Sequence, residues 1–410
     1  MNSLDVEGWQ CVLRGEENLT WDLWAAPIDS SSILTTRGVD LLKSGIQEFR
    51  KFFGEDFIDK CKGKEHPFLT YLMPGNDIRM VYLGLIDLFV HLQFLRTQRR
   101  FGQIRKTLRT NKSLFGCGHA LLQLEVAGFA LRQGHDIEFE PDLESGSKAD
   151  LKVHTGDHPT VFEMVQMGTD HAFRATATFR DRLNRELMGL SMAHSLSIRG
   201  DILRIADESE LTHLMGDLDT KARELNAVGK SFVIHSDLAR LTLIKSERAG
   251  LPELSGPPTQ SDDWARLEAR ISEKARQTSG AENVWIRIDG LSGLWYFTGW
   301  ARHSLREKLR LIAPLCQAAI RRYDHVSGIV ISNGRAWQTG QPEETVCVDG
   351  NFALRRHFID GWERETIIIR RDKRSRKEVD FIMAWYAQEP SWLDWGLSQL
   401  GYPAVTEIFT

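Results

Sequence analysis

Apolar residues recur at helical spacing over residues 37–53, where Val39, Leu41, Leu42, Ile46, Phe49, Phe52 and Phe53 fall on one face. That spacing predicts an amphipathic helix. Upstream, residues 9–24 alternate apolar and polar positions from Trp9 to Trp24, which predicts a short β element. Loops are expected at 63–67 and 74–76. The most apolar run, 80–95, contains Asp87, His91 and Gln93. It is too short and too polar for a membrane span and reads as a helix buried in a core.

From residue 112 the pattern shortens. A helix over 113–133 stops at Gly134, and strands are expected at 136–140, 149–154 and 160–167, with turn chemistry at 141–147 and 155–159. A second helix at 172–192 leads to a strand at 195–204, so the expected order is α-β-β-β-α-β. A helix at 209–227 and a strand at 231–235 follow. Residues 250–263, with Pro252, Pro257 and Pro258, read as a linker or loop. Beyond it come a helix at 264–278, a strand at 284–288, a helix at 305–322 containing Pro314, and a strand at 328–332. Trp362, Trp385, Trp392 and Trp395 close the chain and read as core filling. The expected division is a mainly helical region 1–111, an α/β core 112–249, the linker 250–263 and an additional α/β segment 264–410.

Hydrophobic residues make up 42% and charged residues 26% of 410, enough for packed cores in two or three units. The formal net charge of −4 excludes a strongly basic coat, so any nucleic-acid contact must come from local patches. Cys11, Cys61, Cys117, Cys316 and Cys347 are odd in number and scattered, with no CxxC pair. They read as free thiols of a reducing compartment rather than a disulfide or zinc framework. The start of the chain carries Asp5, Glu7 and Trp9 rather than a basic segment and an apolar run. A cytoplasmic protein without a membrane partner is the expectation.

Three carboxylates carry the candidate chemistry. Glu125 lies in the helix at 113–133, Asp150 opens the second strand, and Glu163 sits inside the third, in the run Val161-Phe162-Glu163-Met164-Val165. An acid within an apolar strand is costly to bury without a partner, and a divalent cation is one such partner. Glu125, the stretch 134–141, Ala149-Asp150 and Phe162-Glu163-Met164-Val165 together resemble the PD-(D/E)XK nuclease superfamily, over about 90 residues. The resemblance implies a restriction-endonuclease-like mixed sheet flanked by helices. It further implies Mg²⁺ or Mn²⁺ held by Glu125, Asp150 and Glu163. The family's lysine position is Val165, and Ala149 stands where its proline does. Gln166 points to the other face. Lys152, two residues after Asp150, is the expected substitute, with Arg174, Arg180 or Arg182 as further sources of positive charge.

Arg96, Arg99, Arg100, Arg105, Lys106, Arg109 and Lys112 form an acid-free basic stretch that could track a phosphate backbone or form a solvated helix face. Arg370, Arg371, Lys373, Arg374, Arg376 and Lys377 read as a basic hairpin turn. His154 and His158 flank Thr155-Gly156-Asp157, which spells a turn rather than a metal-ligand pair. The expectation is a metal-dependent nuclease acting on DNA, or RNA, in a defence or repair role, with a homo-oligomer left open. Its rival is a nuclease-like fold without catalysis, serving as a nucleic-acid-binding or protein-interaction module.

Overall fold

The computed structural model describes residues 19–61, 78–110, 114–155, 159–167, 171–229, 231–246, 252–257, 263–290, 305–332, 336–337, 344–348, 352–359, 362–371 and 390–410. The expected loops at 63–67 and 74–76, His158, Lys112, Trp385 and the basic residues 373–377 lie outside them. The described chain is mixed α and β, with two mixed sheets.

The N-terminal region is helical from its first described element. Of the β element expected at 9–24, residues 9–18 lie outside the described residues, and its end belongs instead to α1 (Trp21–Asp29), because Thr20 accepts from Leu23 N at 3.2 Å and caps a helix there. Trp21, Trp24 and Ile28 are buried on one side of it. It is followed by α2 (Thr36–Phe53), the short α3 (Phe57–Cys61), α4 (Ile78–Leu95), α5 (Phe101–Thr110) and α6 (Leu114–Arg132). The short helices α11 (Trp392–Gln399) and α12 (Val405–Ile408) at the end of the chain return to this layer. Trp392 is buried against His91, Phe94 and Phe129, so it fills a core as its composition suggested. Thr35 donates to Glu407 O at 2.7 Å, tying the start of α2 to α12.

The strands β1 (Asp136–Phe139), β2 (Leu151–His154) and β3 (Pro159–Met167) form an antiparallel meander. Beside β3 run β8 (Val284–Gly290) and then β9 (Val326–Ser332), both parallel to it. Every residue of β8 is buried, as a central parallel strand requires. The sheet continues antiparallel through β13 (Trp362–Arg370), β12 (Phe352–Ile359) and β11 (Glu344–Val348), with β10 (Ala336–Trp337) paired to β13. Phe162, Met164, Trp285 and Val330 face the helical layer, in one core with Leu122, Val126 and Phe129 of α6. Glu163 and Val165 therefore face the other side.

The chain divides into a unit of residues 1–168 and 267–410 and a second unit of residues 169–266. One sequence expectation changes with that division. The helix and strand expected to complete the core sheet, α7 (His171–His194) and β4 (Leu196–Ile202), belong to the second unit. There they join α8 (Glu208–Val228) and a separate sheet ordered β5-β6-β4-β7, with β5 (Phe232–His235), β6 (Ala239–Lys245) and β7 (Glu253–Ser255). Leu183, Leu187, Leu196, Ile198, Leu218 and Leu241 form its own core. Within residues 264–410, β8, β9 and β11–β13 extend the first sheet. The place after β3 is taken by α9 (Asp263–Gln277) and β8, and α10 (Leu305–Arg322) leads into β9. The expected linker 250–263 contains β7 and the start of α9.

Arg371 is structural: it donates to Val326 O at 3.1 Å and to Tyr323 O at 2.6 Å, closing the end of α10. Cys61, Cys117 and Cys316 are free and buried, and burial pushes the Cys117 thiol up to about 12. Among the described residues no helix is long and apolar enough to cross a membrane. Gly328 of β9 lies beside Trp285 of β8, and a Cβ there would stand 2.4 Å from the indole Cζ3. Gly328→Ala is therefore expected to cost about 1–3 kcal/mol by overpacking. Urea denaturation measures it, and an unchanged midpoint would show that the indole gives way freely.

Candidate active site

The site forms where β2 begins. Asp150 stands one residue before the first ladder pair of β2 and β3, Leu151 with Phe162. Its Oδ2 accepts from Met164 N at 2.7 Å, which fixes the carboxylate against β3. From α6, His119 Nε2 lies 3.1 Å from Asp150 Oδ1, and Gln123 Nε2 donates to Asp150 O at 3.1 Å. His119 and Gln123 are one helical turn apart, so a single face of α6 grips this corner.

Glu163 is fully buried in the middle of β3. Lys274 of α9 reaches across to it: Nζ donates to Glu163 Oε2 at 2.7 Å and to Asp150 Oδ2 at 3.4 Å. A single ammonium thus bridges the two carboxylates. Lys274 occupies the buried stripe of α9 made by Leu267, Ile271 and Ala275, which Thr278 continues just past the helix end. Gln277, one turn further on, accepts from Lys274 at 3.3 Å and donates to Lys148 O at 2.9 Å. Ser147 Oγ donates to Gln277 O at 2.6 Å. The end of α9 therefore holds the loop that delivers Asp150.

These contacts drive the acids apart. Burial alone would raise the Asp150 carboxyl, but His119, Lys274 and the Met164 N–H outweigh it and hold it at about 2. Burial, then the Asp150 charge, pushes Glu163 up to about 8 against the pull of Lys274. Burial would lower the Lys274 ammonium, but the two carboxylates outweigh it and hold it above the ordinary lysine value. Glu163 Oε1 is buried and has no hydrogen-bond partner. A buried acceptor left open is costly, and it marks a place for a further donor or cation.

The expected trio is brought together only in part. Asp150 and Glu163 meet through Lys274; Glu125 does not join them. It lies on the opposite face of the sheet, its Oε1 3.9 Å from Arg287 Nη2, and the same Nη2 is 3.9 Å from Asp289 Oδ1. Arg287 pairs in register with Met164 and Val330, on the helical side. The physical reason is angular: two residues past Gln123, Glu125 points roughly 200° away around the helix. Gln166 is on that face too, with Nε2 3.3 Å from Asp289 Oδ2.

Lys152 sits across from Glu138 and Val161 and makes no hydrogen bond or ion pair with Asp150 or Glu163. The cation beside the acids is Lys274, which the sequence reading passed over. Arg180 and Arg182 belong to the second unit, where Arg182 pairs with Glu208. The Arg174 side chain lies outside the described residues. His154 ends β2 opposite Pro159.

Among the described residues no group of three or more His, Cys, Asp and Glu side chains could hold a metal ion. Two carboxylates are, however, what Mg²⁺ asks of a protein when it keeps waters and takes its remaining oxygens from substrate phosphates. Asp150 and Glu163 with its open Oε1 suit that donor set. No family model, characterised protein or solved structure matches this chain.

Proposed function

We propose that this chain is a metal-dependent phosphodiesterase acting on nucleic acid, DNA before RNA, with Asp150, Glu163 and Lys274 as its reacting centre. One observation carries the reading: the Lys274 ammonium bridges a depressed Asp150 and a raised, buried Glu163. Pairs of acids driven apart in this way belong to reacting sites more often than to packing. The order α6-β1-β2-β3-α9-β8, with residues 169–266 inserted after β3, supports a restriction-endonuclease-like core.

A divalent ion held by Asp150 and Glu163 supplies Lewis acidity toward a phosphate oxygen when bound. The chain's own groups do the rest. Lys274, held protonated, is a hydrogen-bond donor rather than a base; it orients the attacking water and offsets charge on the phosphate. His119 and Gln123 hold Asp150 in place. The separation of Glu125 from the other acids favours a second reading, a nuclease-like binding module without catalysis.

Cleavage of plasmid and single-stranded DNA with Mg²⁺ or Mn²⁺, against a chelator control, tests the proposal. Asp150→Asn is expected to lower the rate at least about 10²-fold, whereas Lys152→Ala stays within about threefold, since Lys152 touches neither acid. Wild-type protein inert with both metals on both substrates would leave the binding module in place of the enzyme.

A further inference from the structure

The basic stretch 96–112 is sorted by its contacts. Arg96 pairs with Glu48 at 3.5 Å, and Arg99 and Arg100 pair with Glu138 at 3.2 and 3.3 Å. Arg100 also donates to Glu140 O at 2.7 Å. These three tie the approach of α5 to neighbouring elements and are committed to the fold. Arg105 is held differently: Nε donates to Phe52 O at 3.1 Å and the guanidinium lies 5.1 Å from the centre of the Phe52 ring. The side chains of Lys106 and Arg109 are exposed, and neither makes a hydrogen bond or salt bridge among the described residues, although Arg109 lies close enough to Asp56 to favour its charged form.

Those last three share a surface cleft of about 780 Å³, where α5 faces the end of α2 and α3. Lys60 stands on the opposite wall, and the cleft's one acid, Asp56, is already bonded to it. With Lys60 and Asp56 offsetting each other, Arg105, Lys106 and Arg109 leave an excess of three positive charges, a positive cleft in a chain of formal net charge −4. Gly102 lines it as well. A Cβ at Gly102 would meet nothing within 4 Å, so neither packing nor backbone conformation requires a glycine in this helix. What the glycine provides is open space beside the cations.

We propose that this cleft binds the phosphate backbone of a nucleic-acid strand, with Lys106 and Arg109 as the mobile phosphate contacts and Arg105 as the pre-oriented one. Arg105 and Arg109 are one helical turn apart, a spacing of roughly 6 Å that lets neighbouring phosphates of one strand be met together. The choice of nucleic acid among polyanions rests on the phosphodiesterase reading; the cleft and its cations do not.

The test is fluorescence anisotropy of labelled single-stranded and duplex oligonucleotides in EDTA, where nothing is cut, titrated with salt. The Lys106→Ala/Arg109→Ala double variant is expected to bind about 10- to 100-fold more weakly at low salt. Its slope of log K against log salt should fall by roughly 1.5–2, one phosphate contact per lost cation. Gly102→Glu, which fills the cleft with an acid, should weaken binding comparably, and Lys43→Ala, a lysine of α2 that pairs with Asp29 and does not line the cleft, should not. Thermal melts by circular dichroism check that each variant folds. Asp150→Asn should bind like wild type while losing cleavage, which separates failure of the cleft from failure of the carboxylate site. Unchanged affinity and slope in the double variant overturn the cleft whatever the cleavage assay shows. Binding of phosphatidylserine vesicles in preference to oligonucleotides overturns the choice of nucleic acid.

Discussion

Lys274→Met should abolish cleavage and unfold the protein earlier, with the stability loss growing as pH rises. Removing the ammonium leaves two buried carboxylates facing each other without a cation. Breaking a buried pair in this way typically costs about 3–5 kcal/mol. The sign with pH follows from the acids. In the wild type Glu163 is raised from an ordinary 4.5 to about 8, so its contribution is complete below pH 4.5 and is lost as pH climbs through 8. Asp150 is lowered from 3.8 to about 2, so its contribution is complete above 3.8 and is lost as pH falls through 2. Without Lys274 both carboxylates lose the contact that favours their charged forms, and Glu163 keeps its proton more firmly. Protonation of Glu163 relieves the repulsion fully near pH 5, and less fully near pH 9, where holding that proton costs folding free energy. Urea denaturation at those two pH values measures the difference, and the cleavage rate should fall at least about 10²-fold. Equal stability loss at both pH values would mean that Lys274 is packing material and not the counter-charge of this pair.

That lysine shows where the sequence was legible and where it was not. Periodicity marks which segments become helices and strands, and the strands β1 to β3 emerge close to where alternation and turn chemistry put them. Periodicity does not say which sheet a strand joins. Two helix-strand pairs follow β3 in the chain, α7 with β4 and α9 with β8, and both have an amphipathic helix leading to an apolar strand. The distinguishing sign was in the strands. In β4, Arg199 and Asp201 are exposed while Ile198 and Ile202 are buried, as on a sheet with one wet face; in β8 the whole run Val284–Gly290 is buried. Taking the first pair as the continuation left the helix expected at 264–278, which is α9, outside the core. With it went the one feature that singles out Lys274, a charge at an apolar position in the stripe of Leu267 and Ile271. Glu125 failed for a simpler reason. A residue on the correct helix is not thereby on the correct face, and the face that reaches Asp150 carries His119 and Gln123.

Glu163→Gln separates the two roles of the buried acid. Near pH 7 a glutamate raised to about 8 is largely protonated, so a neutral amide of the same shape should change stability little, by about 1 kcal/mol or less. Metal should act differently on the two proteins. An ion held by Asp150 and Glu163 requires the ionised carboxylate, so its binding expels the Glu163 proton, and apparent affinity should rise with pH until about 8 and level off. Each tenfold excess of free Mg²⁺ over its dissociation constant adds about 1.4 kcal/mol to the folded state. In wild type the melting temperature should therefore climb with Mg²⁺ at pH 8 and hardly at pH 5. In the glutamine variant it should respond weakly at both, and cleavage should be lost. Calorimetry in buffers of different ionisation heat counts the proton directly. An equal Mg²⁺ response in both proteins, or a proton count of zero, would place the metal away from Glu163 and leave its open, buried oxygen without a purpose in catalysis.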